Sequence, residues 1–428
     1  MPTTSLARAF SEKFSERGSQ RCLGWRRSQS DDTYTWVSYE EFRSQSGKVA
    51  ASLRQRLPPD AYVGIMGHNC YEWFIADFAC LWAGLCSVPL SETWEPGVLE
   101  AVLGQTGVAA VFCTPACYAR VASAANSEGS SVALILVTEG AGLPRRAGRV
   151  ECVGMEELLA RGGSGCATEP CLVERETGMP HTILHTSGTT GRLPKGVVYS
   201  DGLWLGNMAT YPGTQAGCSH VPRLRACSAR PLLTRATLLQ VGFSYMPLAF
   251  ITDRHTVYTA LWNGGSVGIV TPQGEGEGGG GGTERIFRDL LLVRPTVLKG
   301  VPAFWEQALS RPISRLISAD LARPPWISAD LACLLEQVAQ ASRMVQDRAL
   351  AILGGRTRVL CCGAGAISDE VRTHSEGAGY TRAQTVNLTV SRWLAFSEGA
   401  GWARARRCSS SSSMAAPSAA TSRATAGC

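Results

Sequence analysis

Residues 186–196 form a dense run of hydroxyl, glycine and lysine residues of the kind that binds polyphosphates. The run reads TSGTTGRLPKG and holds four hydroxyl residues, three glycines and one lysine. Glycine lets backbone N–H groups approach a phosphate without a Cβ clash, hydroxyl groups add donors, and the Lys195 ammonium can reach a terminal phosphate. At roughly 1.5–3 kcal/mol for each charge-assisted bond, about four or five such bonds hold the tail of a nucleotide. The predicted phosphate contacts are Thr186, Ser187, Gly188, Thr189, Thr190, Gly191, Lys195 and Gly196.

The spacing of this run differs from that of the Walker A phosphate loop. That motif has a lysine directly after its second glycine and a helix behind it. Here Lys195 comes before Gly196, and residues 197–200 (VVYS) are expected to continue as a strand. The run is also too long for a plain hairpin turn, which takes about two to five residues. We therefore predict a phosphate-binding loop that connects two strands.

The segments around this loop alternate between buried strands and helices. Ser38 and Glu41 have the spacing of a capping box, and the helix that they begin is expected to end at Pro58. The alternation predicts an α/β fold with a parallel sheet that is flanked by helices. The expected strands are 61–67, 86–90, 108–113, 132–137, 242–250, 266–272, 295–302 and 358–362, and the expected helices include 71–84, 95–103, 203–211, 286–293 and 334–353.

Composition and charge exclude several classes of protein. With 45% hydrophobic residues, the chain of 428 residues can bury a sizeable core, which excludes wholesale disorder. The 41 basic and 35 acidic residues give a net charge of +6, and the last 48 residues supply +5 of it. Because the rest of the chain is near neutral, no nucleic-acid groove is predicted. The sixteen cysteines include no CxxC pair, so we expect no zinc or iron–sulfur framework.

No segment has the pattern of an export signal or of a membrane span. The first residues lack the apolar core of a signal peptide. The longest uncharged apolar stretch, 78–90, is about 13 residues long, which is too short to cross a bilayer. We expect a protein of the cytoplasm, or one peripheral to an intracellular membrane, that is not secreted and has no transmembrane helix.

The loop and four further segments together resemble the adenylate-forming superfamily, which includes acyl-CoA synthetases, peptide-synthetase adenylation domains and luciferases. TSGTTGRLPKGV, which starts at Thr186, looks like the loop that holds the β- and γ-phosphates of ATP in that superfamily. The resemblance has the character of the long-chain fatty acid branch. The other similar segments follow in the family's order: 63–96, with N-x-x-E-W and G-x-x-x-V-P-L, 244–254 (SYMPLAFITDR), 295–306 (PTVLKGVPAFWE) and 359–371 (VLCCGAGAISDEV).

The resemblance implies a fold and a division into domains. The fold is the N-terminal region of the adenylate-forming enzymes, with stacked α-β-α-β-α subdomains, and the family's C-terminal domain is absent. We expect an N-terminal extension at 1–30 and an incomplete AMP-binding domain at 31–380. Residues 381–428 are expected to form a disordered Ser/Ala/Arg tail of low complexity.

The resemblance also implies an activity and further site residues. The activity is ATP-dependent activation of a long-chain fatty acid through an acyl-adenylate, followed by transfer of the acyl group to coenzyme A. Its cofactors and co-substrates are ATP, Mg²⁺ and coenzyme A. By this resemblance, Gly363 and Ala364 line the adenine slot, and Tyr245 and Phe250 lie at the acyl pocket, where Phe250 stands in place of a common histidine.

Several family motifs after residue 371 have no counterpart in this sequence. The Tyr-Gly-x-Thr-Glu motif, whose Tyr stacks on adenine and whose Glu helps to hold Mg²⁺, is not recognisable, and neither is the lysine that stabilises adenylate formation. Loss of one such donor typically lowers the rate by about 10²–10³. We therefore expect an impaired ligase with no catalytic residue assigned. The alternatives are a non-catalytic nucleotide-binding remnant, a truncated gene model, or an amino-acid activator, which segment 63–96 disfavours.

Two smaller features concern charged residues. Asp253 and Arg254 are expected to form a structural ion pair. Lysine is rare in this chain, which makes each lysine position worth locating. The four lysines are Lys13, Lys48, Lys195 and Lys299.

Overall fold

The computed structural model of the chain describes residues 5–138, 142, 144–161, 172–186, 193–210, 241–272, 282–301, 304, 353, 356, 359–363 and 385–386. All of these residues belong to one unit of the chain, Met1–Val386. The helices are α1 (Leu6–Arg17), α2 (Tyr39–Arg56), α3 (Tyr71–Ala83), α4 (Pro96–Thr106), α5 (Tyr118–Ala125), α6 (Met155–Arg161), α7 (Asp201–Thr210), α8 (Ile251–Trp262) and α9 (Gly282–Val293). The strands are β1 (Arg21–Trp25), β2 (Thr35–Ser38), β3 (Tyr62–Met66), β4 (Cys86–Leu90), β5 (Ala110–Cys113), β6 (Leu134–Val137), β7 (Arg146–Ala147), β8 (Val150–Gly154), β9 (Pro180–His185), β10 (Gly196–Ser200), β11 (Val241–Ser244), β12 (Ser266–Ile269), β13 (Val297–Gly300), β14 (Val359–Gly363) and β15 (Thr385–Val386).

The largest sheet of the described residues has eight strands in the order β10-β9-β4-β3-β5-β6-β8-β7. Its six inner strands run parallel to one another, and β10 and β7 lie antiparallel at the edges. Side chains of a strand point alternately to the two faces of the sheet. Accordingly, Ala110 and Phe112 of β5 share a core with α2 and α3, whereas Val111 and Cys113 share another with α4 and α5. The predicted parallel sheet flanked by helices is confirmed.

Two smaller sheets carry the later part of the domain. The second sheet of the domain has the order β11-β12-β1-β2, with β11 and β1 parallel to β12, and the third has the order β13-β14-β15. The strand that we predicted at 242–250 is shorter than expected, because β11 ends at Ser244 and α8 begins at Ile251. Pro247 lies between them and cannot donate a hydrogen bond to a strand ladder.

Residues near the N-terminus pack into the core of the domain. The range 1–30, which sequence analysis assigned to an extension, contains α1 and β1. Phe10 and Phe14 of α1 are fully buried, and the ring centroid of each lies 5.5 Å from that of Phe78 on α3. β1 is an inner strand between β12 and β2. This segment therefore contributes to both the main core and the second sheet.

Some sequence predictions concern ranges that are mostly outside the described residues. Of the predicted helix at 334–353, only Leu353 is described. Of the predicted tail at 381–428, only the two residues of β15 are described, and they pair in parallel with the end of β14. The proposed disorder of the tail and the domain boundary at 380 stay predictions.

Helices α2 and α3 form the centre of the main core. The capping box that we predicted for α2 is confirmed, since the Glu41 amide donates to Ser38 Oγ at 3.1 Å and the Ser38 amide donates to Glu41 Oε2 at 2.7 Å. α3 is buried along nearly its whole length and ends at Ala83, and the next residue, Gly84, caps it with a left-handed φ of 72°. A Cβ at Gly84 would lie 2.8 Å from Val173, so this end requires glycine. Among the described helices, none is long and apolar enough to span a membrane.

A fully buried ion pair connects β1, β12 and α9. Arg26, directly after β1, places Nη2 2.7 Å from Asp289 Oδ1 on α9, and both side chains are 0% exposed. The Thr271 amide, just beyond β12, donates to Asp289 Oδ2 at 2.8 Å. Three elements that are far apart in sequence therefore meet at one carboxylate.

Candidate functional site

The predicted phosphate loop connects the two strands of an antiparallel hairpin. β9 and β10 pair so that His185 faces Gly196, and the Thr186 amide donates to the Lys195 carbonyl at 3.0 Å. This bond closes the base of the loop. β9 also pairs in parallel with β4, so the loop leaves the carboxyl end of a parallel strand. In open α/β sheets this is the edge at which ligands bind.

The structure brings three of the eight predicted phosphate contacts together at the base of this loop: Thr186, Lys195 and Gly196. The Lys195 side chain is exposed to solvent. Gly196 lies in an extended strand, where a Cβ would be 2.9 Å from Ile183 Cγ2 and 3.4 Å from His185 Nε2. Glycine at this position therefore allows the two strands to approach closely. The other predicted contacts, Ser187, Gly188, Thr189, Thr190 and Gly191, are outside the described residues.

His185 anchors the loop base and is a packing residue. Its ring lies edge-on to the ring of Trp94, which follows β4, with 5.4 Å between the ring centroids. Burial lowers the pKa of His185, so the imidazole stays neutral near pH 7. The contact between the loop base and the segment after β4 is therefore an uncharged aromatic pair.

The loop hairpin is followed by α7, which packs on α8. Trp204 of α7 is buried, and its ring lies 6.1 Å from that of Tyr199 on β10 and 4.6 Å from that of Tyr258 on α8. α8 begins after Phe250, one of the predicted acyl-pocket residues. These contacts connect the phosphate hairpin to the helix next to the predicted acyl pocket.

The expected ion pair between Asp253 and Arg254 is wrong. Arg254 Nη2 instead lies 2.6 Å from Asp77 Oδ1 on α3, and both side chains are 0% exposed. Consecutive residues of a helix point about 100° apart, so neighbours in sequence face different surroundings. Asp253 accordingly points to another set of partners.

Asp253 belongs to a buried polar cluster that connects α8 with the end of β11. Its Oδ2 accepts hydrogen bonds from Ser244 Oγ and, at 3.2 Å, from Asn69 Nδ2. Burial raises the pKa of Asp253 to about 7, although Ser244, the backbone amides of Met246 and Tyr245, and the charge of Lys299 oppose the rise. This carboxyl therefore titrates near neutral pH.

Replacing Asp253 with Asn is expected to remove a pH dependence of stability. In the unfolded chain an aspartate titrates near pH 4, whereas Asp253 in the folded protein has a pKa of about 7. Between these values the folded state binds more protons, so wild-type stability falls as pH rises from 4 to 7. Relative to Asp253→Asn, the wild type should lose on the order of 4 kcal/mol over this window. Urea denaturation at pH 4.5 and pH 8 measures the difference.

The exposed Asp32 provides the control for this measurement. Its side chain is 88% exposed, so Asp32→Asn removes a carboxyl group from the surface and leaves every buried carboxyl group in place. An equal difference between Asp253→Asn and the wild type at both pH values would contradict the prediction.

Sequence reasoning missed a contact between a lysine and a histidine beside this cluster. Lys299 Nζ on β13 lies 2.7 Å from His255 Nδ1 on α8, and His255 Nε2 lies 3.3 Å from Asn207 Oδ1 on α7. Burial and then the charge of Lys299 lower the pKa of His255, so Nδ1 accepts from the ammonium and Nε2–H donates to Asn207. The scarcity of lysine in the chain was the one sequence signal that pointed to this position.

The predicted acyl-pocket and adenine-slot residues lie on or next to neighbouring strands. The Tyr245 hydroxyl donates to the Lys299 carbonyl of β13 at 2.8 Å, and Phe250 is 38% exposed at the start of α8. β13 pairs in parallel with β14, which ends at Gly363. Ala364 is outside the described residues.

The donors at the loop base suit a phosphate. The Thr186 hydroxyl and the Lys195 ammonium are groups that pair with phosphate oxygens. Among the side chains that the structure describes, no group of three or more His, Cys, Asp or Glu residues is placed to hold a metal ion. Magnesium that is bound to a nucleotide commonly uses only one or two protein carboxylates besides the phosphates.

Comparisons with known sequences agree with this geometry. The AMP-binding enzyme family matches residues 11–386. Long chain acyl-CoA synthetase 7, peroxisomal, of Arabidopsis thaliana is 27% identical over 351 residues, which cover 79% of this chain and 45% of that protein. Long-chain-fatty-acid–CoA ligase 6 of Rattus norvegicus is 24% identical over 384 residues, which cover 86% of this chain and 50% of that protein. The chain thus spans about half the length of the curated relatives that it matches.

Solved structures show the same fold. The adenylation domain of a carboxylate reductase of Mycobacterium chelonae has a TM-score of 0.66 at 19% identity, with 88% of this chain and 56% of that chain covered. The A domain of a carboxylic acid reductase of Segniliparus rugosus, in complex with AMP and a co-purified carboxylic acid, has a TM-score of 0.67 at 19% identity, with 90% and 60% covered. The described fold is therefore that of the N-terminal part of an adenylation domain.

Proposed function

Because this chain belongs to the AMP-binding enzyme family, we propose that it activates a long-chain fatty acid with ATP and transfers the acyl group to coenzyme A. The observation that carries the proposal is the loop hairpin, which holds Thr186 and Lys195 together at the carboxyl edge of a parallel sheet. The curated relatives are long-chain acyl-CoA synthetases and ligases, which supports a long-chain acid as the substrate.

In the proposed reaction, the carboxylate of the acid attacks the α-phosphate of ATP, and pyrophosphate leaves. Negative charge grows on the phosphates as the bond to pyrophosphate breaks, and in this proposal the Lys195 ammonium and the Thr186 hydroxyl stabilise it. Mg²⁺, when bound with ATP, would neutralise part of the charge of the phosphates. On the resemblance of their segments to the family, we assign Gly363 and Ala364 to adenine and Tyr245 and Phe250 to the acid. The proposed location is the cytoplasm or the surface of an intracellular membrane.

A second candidate function is nucleotide binding without ligation. It is favoured by the sequence after residue 371, in which neither the Tyr-Gly-x-Thr-Glu motif nor a lysine is recognisable. If the positions of these groups stay unfilled, each missing donor is expected to lower the rate by about 10²–10³. We therefore propose that this chain on its own is a slow ligase.

Acid-dependent release of pyrophosphate tests the proposal. The full chain is incubated with ATP, Mg²⁺ and palmitate, and coenzyme A is then added so that palmitoyl-CoA can be detected by mass spectrometry. We expect pyrophosphate release with palmitate and none with amino acids. Turnover at or above about 1 s⁻¹, the low end of ordinary enzymes, would contradict a slow ligase. Saturable ATP binding without pyrophosphate release would support the second candidate, and no ATP binding would exclude both.

A further inference from the structure

The hairpin that carries the phosphate loop lies beside β4 of the main sheet, and one register pair is formed between β4 and β9. Five register pairs join β3 to β4, and four join β3 to β5. In contrast, β4 and β9, which are both fully described, are joined by the single register pair Ser87–Thr182, called the seam here. On its other side β9 pairs with β10, which is the edge strand of the described sheet. The seam is therefore the point at which the strand ladder joins the hairpin to the parallel strands.

Arg254 of α8 binds both residues of the seam. Its Nη1 donates to Thr182 Oγ1 at 2.6 Å, and its Nη2 donates to Ser87 Oγ at 3.3 Å. Thr182 Oγ1 in turn donates to the Ser87 carbonyl at 2.8 Å. All three side chains are 0% exposed, so water does not compete for these bonds.

The charge of Arg254 is balanced from a third element. Asp77 of α3 lies 2.6 Å from Arg254 Nη2 and accepts a second bond from the Tyr258 hydroxyl at 3.0 Å. The Tyr258 oxygen lies 2.9 Å from His181 Nε2, which donates to it because the hydroxyl proton goes to Asp77. Two consecutive residues of β9, at 181 and 182, are therefore tied to α3 and α8 through one buried network.

The seam lies close to the loop along a stiff segment. Thr182 is four residues before Thr186, at which the loop begins. A strand rises about 3.3 Å per residue, so the loop base lies about 13 Å from the seam along β9. A tilt of β9 at the seam therefore displaces the loop base. A misplacement of about 1 Å in a binding group can lower a rate by about 10²-fold.

We propose that Arg254 is a positioning residue that fixes the phosphate loop for ATP by clamping the seam between β4 and β9. This inference rests on the proposed function, since it assigns ATP to the loop. Arg254 contacts Ser87 and Thr182 and acts on the loop base through these two residues. A guanidinium suits this role because its planar group of donors reaches both residues and Asp77 at once, whereas the ammonium of a lysine is a single point charge.

Two substitutions test the clamp in the full chain. Arg254→Lys keeps the charge beside Asp77 and loses the planar group, and Thr182→Val removes the acceptor at the seam while keeping a β-branched residue in the strand. Each is expected to raise the dissociation constant for Mg·ATP by about 10- to 100-fold. In pyrophosphate release, the KM for ATP should rise by the same factor and the KM for palmitate should stay within about twofold. The effect of the double variant should be smaller than the product of the single effects, because both act on one bond.

Arg26→Lys is the matched control, since Arg26 is also fully buried against an aspartate but directly follows β1, away from the seam. It should lose stability to urea and keep the wild-type affinity for ATP. Equal weakening of ATP binding by Arg26→Lys and Arg254→Lys would overturn the clamp while the proposed function stands, and so would wild-type affinity in Thr182→Val. If Arg254→Lys does not fold, the result for Thr182→Val decides. Absence of ATP binding in the wild type would overturn both the clamp and the proposed function.

Discussion

Replacing Lys195 with alanine is expected to weaken ATP binding by about 10- to 100-fold and to leave the free energy of unfolding nearly unchanged. The side chain is exposed, and the base of the loop is closed by the Lys195 carbonyl, which alanine retains. The substitution therefore removes the ammonium without removing the hairpin. A charge-assisted bond is worth roughly 1.5–3 kcal/mol, and each 1.4 kcal/mol is about tenfold in affinity.

Titration of the protein with Mg·ATP, followed by tryptophan fluorescence, measures this loss. Lys48→Ala on α2 is the matched control, because it removes the same charge from a helix outside the hairpin. The control should bind ATP as the wild type does. If Lys195→Ala binds ATP with wild-type affinity, the loop does not hold the phosphates through this lysine, and the assignment of the phosphate site is wrong.

The local parts of the structure were predictable because each depends on residues close together in sequence. The capping box needs only Ser38 and Glu41, and the loop hairpin needs two apolar strands on either side of a run rich in glycine. The alternation of short apolar runs with helices then implies a parallel sheet. These predictions use patterns of fewer than about 20 residues, in which the spacing of side chains already determines the conformation.

Contacts between distant residues were not predictable in this way. Arg254 and Asp77 are 177 residues apart, and nothing in the sequence near Arg254 distinguishes Asp77 from its neighbour Asp253 as a partner. Because consecutive residues of a helix point in different directions, Asp253 and Arg254 face different surroundings, and the predicted ion pair between them is wrong. The contact between Lys299 and His255 was missed for the same reason, because it requires β13 to lie against α8.

The helix α1 was missed although its pattern was present. Leu6, Phe10 and Phe14 recur every four residues, and Ser5 caps the helix by accepting from the Arg8 amide. Sequence analysis assigned this range only to an N-terminal extension. The apolar spacing was the better guide, since these three side chains are fully buried.

Replacing Asp289 with alanine is expected to lower the free energy of unfolding by about 3–5 kcal/mol. The carboxylate is fully buried and is the counter-charge of Arg26, which is 263 residues away in sequence and is also fully buried. Without Asp289, the guanidinium is left charged in the interior, and the Thr271 amide loses its acceptor. The effect should be large because one residue connects β1, the end of β12 and α9.

Urea denaturation of two further variants separates the charge from the packing. Asp32→Ala removes the exposed pair with Arg288, whose side chains are 88% and 50% exposed, and should lower stability by less than about 1 kcal/mol. Replacing Arg26 with Met in the Asp289→Ala background removes the unpaired charge and should recover part of the loss. Recovery should be incomplete, because the Thr271 amide and hydroxyl still lack an acceptor. If Asp289→Ala lowers stability no more than Asp32→Ala does, the buried pair does not hold the second sheet to α9.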